Sequence, residues 1–343
     1  MKVIFFLQYD TIGSSSKYRV LIYKNKFDEA YETKYCYFWN NQYVSEYSKA
    51  KKKYLVQILA AYTFNVLKRI WQMFFIVPKY DVLVIQRCMI PYIPISFLTY
   101  VKRRGVRIIY DIDDALQLEK GYNCSKIAGQ ADAVMVGNKL LYDYYKQYNL
   151  QTFIVPTVDN NHLYQPFVKD TYEKKCIGWI GSFSTVRNFD IIIKVLNRIT
   201  EEHPEVYVKI ISDEVYEYQE KIRNCRFVAW NADTYLQEMQ EFTVGIMPLK
   251  ESAFNAGKCG FKLIQYLALE KPVVATDLGE NATIVSDYGY TCTNEKEWYQ
   301  ALTTLLFDEK IYRKCVANIQ SKFLQDYGFD ANLQKIMDVI EEK

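Results

Sequence analysis

The sequence predicts an α/β protein built from two doubly wound domains. Short apolar runs, typical of buried parallel strands, alternate with helix-like stretches along both halves of the chain. A polar, weakly periodic stretch separates the halves. The length of 343 residues suits two domains of roughly 150 residues each better than one core. We therefore predict an amino-terminal domain over residues 1–158, a linker over 159–175, a carboxyl-terminal domain over 176–326 and a C-terminal helix over 327–343 that returns to the amino-terminal domain.

The strands of the first half end in polar residues or small-residue loops. The first apolar run, residues 3–7, leads into a loop that contains Gly13 and Arg19, and Arg87 ends the run at residues 80–87. Ligands of α/β sheets bind at such strand ends. The G-x-G-x-x-G dinucleotide fingerprint is missing.

The strand at residues 105–110 is followed by Asp111-Ile112-Asp113-Asp114. The D-x-D spelling suggests a metal site, but strand ends and helix caps favour aspartate for structural reasons as well. Both interpretations of Asp113 stay open from the residues alone.

A helical segment from Ser48 to Val77 combines lysines with apolar and aromatic blocks. No uncharged window reaches the roughly 18–20 residues of a transmembrane helix. Its basic and aromatic stretch, residues 51–75, suits the interface of an anionic bilayer. The alternative is an outer helix that buries its apolar side on the sheet.

The second half ends its fourth strand at Met247-Pro248-Leu249, and a loop with Gly257, Lys258, Gly260 and Lys262 leads into a helix from about Phe261. Glycines let a backbone approach a ligand closely, and a helix N-terminus with lysines attracts anions. A phosphate or diphosphate is the expected ligand. An ordinary strand–loop–helix connection with surface lysines is the alternative.

Composition narrows the function classes. With 43 basic and 40 acidic side chains the formal net charge is +3, which argues against a protein that coats nucleic acid. The eight cysteines are scattered, without a C-x-x-C pair, as expected for reduced thiols. The opening apolar run is too short for a signal peptide, so we expect a cytoplasmic protein.

In the order of its secondary-structure elements and in the sequences of five segments, the chain resembles the retaining glycosyltransferases of the two-domain GT-B fold, family four (glycosyl transferases group 1). The segments are residues 80–87, 109–115, 178–182, 245–249 and 257–268. The resemblance covers nearly the whole chain. It implies two facing Rossmann-like domains with a C-terminal helical segment, the second domain binding a nucleotide sugar and the first an acceptor.

On the donor side, the resemblance assigns the diphosphate to Gly181, Ser182, Arg187, Gly260, Phe261 and Lys262, and the base to Trp230 and Asn231. Gln265 and Gly257 replace two glutamates that hold ribose and sugar in the family, and Lys258 or backbone N–H groups are expected to substitute for the missing carboxylate. Trp230 as a core residue is the alternative. Arg187 and Lys262 are expected to neutralise the leaving group, so no metal ion and no cofactor are expected, the nucleotide sugar being a co-substrate.

On the acceptor side, the resemblance points to Gly13, Arg19, Arg87 and Asp113. Asp113 falls on or beside the position of the family's histidine near the reacting sugar, and this chain has no histidine before His162. The expected catalytic residues are Asp113, Arg187 and Lys262. Retention in such enzymes is thought to proceed by front-face displacement without a protein nucleophile.

The resulting prediction is a metal-independent retaining hexosyltransferase that moves a sugar to a glycan acceptor in surface polysaccharide or glycoconjugate assembly. The basic helix at residues 51–75 favours a lipid-linked acceptor at the inner face of the plasma membrane. The alternatives are a nucleotide-sugar epimerase of the same fold and a non-catalytic nucleotide-sugar-binding subunit. Nucleic acid is not an expected partner.

Overall fold

Runs of buried apolar residues form two parallel sheets of six strands each. The computed structural model describes residues 1–93, 97–119, 121–213 and 218–342. The chain divides into two units, the first made of Met1–Thr157 with the segment from Asn332 onward and the second of Val158–Ala331. The residues predicted as a linker, 159–175, fall in the second unit.

The first sheet has the strand order β2-β1-β3-β4-β5-β6 and the second β12-β11-β10-β7-β8-β9. The strands of the first are β1 Lys2–Tyr9, β2 Glu32–Trp39, β3 Val82–Gln86, β4 Arg107–Ile112, β5 Ala133–Val136 and β6 Thr152–Ile154. The strands of the second are β7 Cys176–Ile180, β8 Tyr207–Ser212, β9 Cys225–Ala229, β10 Val244–Met247, β11 Val273–Thr276 and β12 Gly289–Cys292. All pairings are parallel, which confirms the predicted doubly wound architecture.

Helices connect the strands in both units. In the first unit they are α1 Ser14–Arg19, α2 Lys24–Ala30, α3 Leu55–Phe75, α4 Leu98–Arg103, α5 Cys124–Gln130 and α6 Lys139–Tyr145. In the second unit they are α7 Ile193–Glu202, α8 Tyr218–Lys221, α9 Tyr235–Met239, α10 Ala253–Ala256, α11 Phe261–Ala268, α12 Asn281–Val285, α13 Glu295–Phe307 and α14 Glu309–Tyr327. The last helix, α15 Phe329–Glu341, begins in the second unit and continues into the first.

Several element boundaries differ from the prediction. The sequence pattern does not predict strand β2, which lies at the edge of the sheet and begins with three polar residues, 32–34, that are at least partly exposed. Residues 183–191 form a 3₁₀ helix, whereas an α-helix was predicted from Asn188. The sequence pattern also predicts helices from about Pro94 to Lys102 and from Val215 to Ile222, and their first residues lie outside the described part of the chain. The predicted helical C-terminal region is interrupted at Asp308, which caps α14, and at Gly328.

Helix α3 is fastened to the first sheet by a buried arginine. Arg69 is 2% exposed, and its Nη2 donates to the carbonyls of Leu7 and Cys36, each at 3.2 Å. Its guanidinium lies 3.9 Å from the ring centre of Phe6, and burial lowers the pKa of Arg69 to about 10. These bonds fix which face of α3 lies against the sheet.

The eight cysteines are free, as predicted, and six of them are buried. None of the helices in the described ranges is long and apolar enough to cross a membrane.

Candidate functional site

Helix α11 in the second unit begins at a glycine that tolerates no side chain. Gly260 has a φ of +64°, in the left-handed region, and a Cβ there would lie 2.2 Å from Cδ1 of Ile284. The first N–H groups of a helix lack intrahelical partners, and its dipole is positive at that end. No acidic residue stands in the first turn of α11. The start of α11 is therefore electropositive.

Lys262 lies in this first turn, against the backbone that follows β7. A Cβ at Gly181 would lie 2.7 Å from Cε of Lys262 and 2.5 Å from the ring of Trp179, so glycine is what lets the lysine approach. The Lys262 ammonium is 5.7 Å from the centre of that ring. Gly181 and Lys262, predicted from separate segments, are thus brought together.

The charge of Lys262 is poorly stabilised in the unliganded protein. Burial, reinforced by the nearby charge of Lys258, lowers its pKa from 10.5 to about 8. Among the described residues no carboxylate lies within ion-pair distance of its ammonium. A desolvated cation without a partner at a helix N-terminus favours an anionic ligand.

Lys258 is partly buried just before the same helix. Its ammonium lies 5.8 Å from the ring centre of Phe254. The preceding Gly257 is buried at the end of α10, and its φ of −81° is one that any residue adopts. Lys258 and Lys262 therefore both lie at the N-terminal end of α11.

The loop after β7 is held by Asn188. Its Oδ1 accepts from the backbone N–H of Lys250 at 2.9 Å, and its Nδ2 donates to the carbonyl of Thr185 at 2.9 Å. These bonds tie the 3₁₀ helix after β7 to the loop after β10. Ser182 precedes this helix, and Arg187 lies on it, exposed and without an ion-pair partner in the described ranges.

Tyr266 anchors α11 to the sheet. The Tyr266 side chain is fully buried. Its hydroxyl accepts a hydrogen bond from the N–H of Ile180 at 3.1 Å and donates one to the carbonyl of Ile246 at 3.3 Å. Ile180 ends β7 and Ile246 lies in β10, so one hydroxyl fixes the helix over both strands. Residue spacing alone did not single out Tyr266 or Asn188.

Trp230 and Asn231 follow β9. Trp230 is 44% exposed, so it is not a core residue, and its ring is 6.2 Å from that of Tyr235. Asn231 turns the chain, its Oδ1 accepting from the N–H of Asp233 at 2.8 Å. The exposed indole offers a face on which a planar base stacks.

Gln265 is directed into the interior of the second unit. Its Nε2 donates to Oδ2 of Asp159 at 3.3 Å and to the hydroxyl of Tyr164 at 3.1 Å. Tyr164 in turn donates to Asp159 at 2.6 Å, and all three side chains are buried. The amide predicted to contact ribose is therefore engaged in an internal network that the sequence did not reveal.

In the first unit, Arg87 and Asp113 meet at the ends of neighbouring strands β3 and β4. Arg87 donates to Oδ2 of Asp114 at 2.5 Å and to Oε1 of Gln8 at 2.9 Å, and its Nη1 is 4.0 Å from Oδ1 of Asp113. Asp113 is 4% exposed. Burial and the neighbouring charge of Asp114 raise the pKa of Asp113 to about 7, against the opposing effect of Arg19 and Arg87.

Arg19 and Gly13 occupy structural positions at the same sheet edge. The Arg19 guanidinium is buried in an ion pair with Asp111, and its Nη1 donates to the carbonyl of Val155 at 2.5 Å. The carboxylate of Asp111 raises the pKa of Arg19 even against burial. A Cβ at Gly13 would lie 2.1 Å from Cβ of Tyr9. Both residues shape this edge, and the Arg19 guanidinium is engaged internally.

Two buried polar atoms at this edge have no hydrogen-bond partner among the described residues. They are Oδ1 of Asp113 and Nε2 of Gln86. Gln86 is fully buried, and its Oε1 accepts from the hydroxyl of Ser16 at 3.3 Å. Buried polar atoms are almost always hydrogen-bonded in folded proteins, so these two atoms can each form a hydrogen bond with a ligand hydroxyl group or a water molecule. Within the described ranges no group of three or more His, Cys, Asp or Glu side chains is placed to hold a metal ion.

Residues 174–308 match the family model described as glycosyl transferases group 1. This range holds the whole α11 site. A search of curated protein sequences returned no match.

Solved structures resemble the chain over its full length. The Anabaena protein HepE in complex with UDP-glucose has a TM-score of 0.70 at 16% identity, covering 100% of both chains. A glycosyltransferase from Rickettsia africae has a TM-score of 0.67 at 11% identity, covering 99% of this chain and 98% of its own. The UDP-GlcNAc 2-epimerase from Neisseria meningitidis bound to UDP-GlcNAc has a TM-score of 0.60 at 11% identity, covering 100% of both. At these identities the likeness establishes the fold, which is GT-B.

Proposed function

We propose that the protein is a retaining glycosyltransferase that moves a sugar from a nucleoside-diphosphate donor to a glycan acceptor. The observation that carries the proposal is Lys262, a partly buried lysine with a lowered pKa and no carboxylate partner in the described ranges, in the first turn of α11. A donor diphosphate supplies the anion that this site lacks. The match of residues 174–308 to glycosyl transferases group 1 covers the same site.

In the proposed donor complex, Lys262 and the start of α11 bind the diphosphate. Arg187, exposed on the 3₁₀ helix after β7, adds a second charge, and Trp230 stacks on the base. As the bond to the sugar breaks, negative charge develops on the departing diphosphate, and preorganised cations lower the barrier there. These groups perform the neutralisation without a metal ion. UDP is the favoured nucleotide because HepE and the epimerase were solved with UDP-sugars.

The proposed acceptor side lies in the first unit. Asp113 has one oxygen unpartnered among the described residues, and its raised pKa suits a group that exchanges a hydrogen bond with a hydroxyl near neutral pH. Arg87 fixes the position of the neighbouring Asp114. The departing phosphate oxygen takes the acceptor proton, so Asp113 positions the hydroxyl rather than attacking the sugar.

The acceptor is proposed to be lipid-linked, with the protein docked on the inner membrane face in the cytoplasm. The support is the surface of α3, on which seven large apolar side chains remain between 53% and 76% exposed. They are Leu55, Val56, Leu59, Phe64, Leu67, Trp71 and Phe75. Packing on the sheet therefore does not account for them, and such a patch marks an interaction surface.

The charges around α3 favour an anionic bilayer as the partner. No acidic residue stands between Glu46 and Asp81, whereas Lys51, Lys52 and Lys53 are exposed just before α3 begins. Each lysine near an anionic membrane contributes about 1 kcal/mol of binding free energy. A helix lying in the membrane plane would present both the lysines and the apolar stripe.

The proposed reaction is tested by incubating the protein with UDP-glucose, UDP-galactose, UDP-GlcNAc and GDP-mannose. We expect slow release of nucleoside diphosphate from at least one donor, with the freed sugar first appearing in the anomeric configuration of the donor by NMR. Lys262→Ala should abolish release, and Leu150→Ser, at an exposed leucine of the first unit, should leave it unchanged.

An epimerase is the second candidate because an epimerase shares the fold over the full chain. It would convert one UDP-sugar into another without an acceptor, which the same NMR spectra detect. Donor binding without any turnover would instead indicate a non-catalytic binding subunit.

A further inference from the structure

A cavity in the first unit lies beside α3 and shares only that helix with the residues assigned so far. It has a volume of about 390 Å³, within the roughly 300–1,000 Å³ range of small-molecule sites. Its walls come from the end of β2, the segment that follows it, one side of α3 and Asp10, which follows β1. All of these residues lie in the first unit.

Aromatic rings form much of the wall. Tyr37 and Phe38 come from β2, Tyr43 and Tyr47 from the following turn, and Phe64 from α3. Tyr43 is stacked on Trp39, with ring centres 3.9 Å apart and planes 11° from parallel, so its orientation is fixed. The negative face of an aromatic ring attracts the positively polarised C–H groups of an apolar surface, such as one face of a sugar ring.

Amides supply part of the remaining wall, beside Asp10, Ala61 and Lys68. Asn65 and Gln57 of α3 line the cavity and form no hydrogen bond with any described residue. An amide offers both a donor and an acceptor, which matches hydroxyl groups that do the same. The cavity therefore combines rings for an apolar face with amides for hydroxyls.

The same helix carries the exposed apolar face. Phe64 lines the cavity and is also 66% exposed, and the exposed Lys68 lines the cavity without an ion-pair partner in the described ranges. A ligand with its polar part in the cavity would thus have its apolar part beside Leu67 and Trp71. That arrangement matches an amphiphile whose sugar is joined to a lipid.

We infer that this cavity binds the saccharide portion of a lipid-linked acceptor, with Asn65 and Gln57 as hydrogen-bonding residues and Tyr37, Tyr43 and Phe64 as the contact surface. The inference rests on the proposed function, since it names the subsite that recognises the acceptor. Lys68 and Asp10 both line the cavity, so a charge of each sign lies beside the ligand.

The test uses octyl glucoside, octyl galactoside and octyl N-acetylglucosaminide below their micelle concentrations, with octanol as the probe for the alkyl chain alone. Saturation-transfer NMR on the full chain is expected to show binding of at least one glycoside, with saturation strongest at sugar-ring protons. Asn65→Leu should weaken that binding about tenfold, the loss expected for a hydrogen-bonding group left unpaired in a site. Leu150→Ser, at an exposed leucine outside both α3 and the cavity, is the control and should leave it unchanged.

Binding of none of the glycosides, equal binding of octanol, or unchanged binding in Asn65→Leu would overturn the inference. Gln57→Leu, at an exposed position, provides a second variant should Asn65→Leu fold poorly. Titration of the same samples with UDP separates the two proposals. UDP binding without glycoside binding removes only the cavity assignment, and glycoside binding without nucleotide binding removes only the proposed reaction.

Discussion

Lys262 and Asp113 are the two residues whose protonation the fold disturbs at the candidate sites, and in both the charged form is disfavoured. Lys262 lacks a carboxylate partner in the described ranges, and Asp113 is buried beside Asp114. Strongly shifted groups of this kind concentrate at functional sites. Each shift also predicts how stability depends on pH.

Replacing Lys262 with methionine should stabilise the unliganded protein at pH 7. The folded-state pKa of Lys262, about 8, lies below the ordinary 10.5, so between these two pH values the unfolded chain binds a proton that the folded protein has lost. Below pH 8 both states are protonated, and the buried charge lowers the free energy of unfolding of the wild type. We expect the thermal midpoint of Lys262→Met to lie about 2–4 °C above that of the wild type at pH 7, the shift for roughly 1 kcal/mol in a domain of this size. The difference should shrink as the pH rises from 8 towards 10.5. A midpoint lowered at pH 7 would contradict the assignment of an unpaired charge.

Asp113→Asn should show the opposite trend with pH. The folded-state pKa of about 7 exceeds the ordinary 3.8, so the folded protein holds a proton that the unfolded chain has lost, and the wild type loses stability as the pH rises through this interval. The variant should match the wild type near pH 4 and exceed its thermal midpoint at pH 8. The exposed Asp143→Asn is the control, and it should show no such divergence. Parallel curves for Asp113→Asn would mean that the carboxylate is stabilised by its arginines.

At the scale of elements, α3 combines two functions that its sequence does not separate. Arg69 and Met73 bury one side of the helix, while the opposite side leaves leucines and aromatic residues exposed. Phe64, Leu67, Trp71 and Phe75 follow one another at steps of three or four residues and form one exposed stripe. Leu55 and Leu59 lie about four and a half to five and a half turns before Phe75 and so face the other side of the helix. The period of the apolar residues could not tell which side meets the sheet, because both sides are apolar.

The stripe predicts binding to anionic vesicles. In a flotation assay, the protein should float with vesicles of phosphatidylcholine and phosphatidylglycerol and less with phosphatidylcholine alone. The double variant Leu67→Ser with Trp71→Ser should lower the partition coefficient at least tenfold, since each large side chain contributes about 1.5–3 kcal/mol when buried. Replacing Lys51, Lys52 and Lys53 with glutamine should remove the preference for anionic lipid. Leu150→Ser is the matched control, a leucine 83% exposed outside α3; equal flotation of all variants would exclude α3 as the contact.

At the scale of the molecule, the sequence was sufficient for the sheet architecture. Strands of consecutive apolar residues such as β3 and β10 were evident, because burial on both faces leaves no polar position. The edge strands β2 and β12 were not, because each begins with polar or small residues that are at least partly exposed. The electropositive start of α11 was predictable, since glycines, lysines and a following helix are all local features.

The internal hydrogen bonds and ion pairs of the candidate site residues were not predictable from the sequence. Gln265 bonds Asp159, more than a hundred residues earlier, and Arg19 pairs with Asp111 across two strands. Such partners depend on the register of elements that are distant in sequence. For the same reason, the cavity beside α3 is formed by β2, a turn and a helix, which no motif joins.

The central claim is that the start of α11 binds a nucleoside diphosphate through Lys262. Calorimetric titration of the wild type and Lys262→Met with UDP, GDP and ADP tests it most directly. We expect at least one nucleotide to bind the wild type, and about tenfold to hundredfold weaker binding to the variant, the loss expected for one charge-assisted hydrogen bond. Binding of none of the three nucleotides, or equal affinity in the two proteins, would contradict the claim.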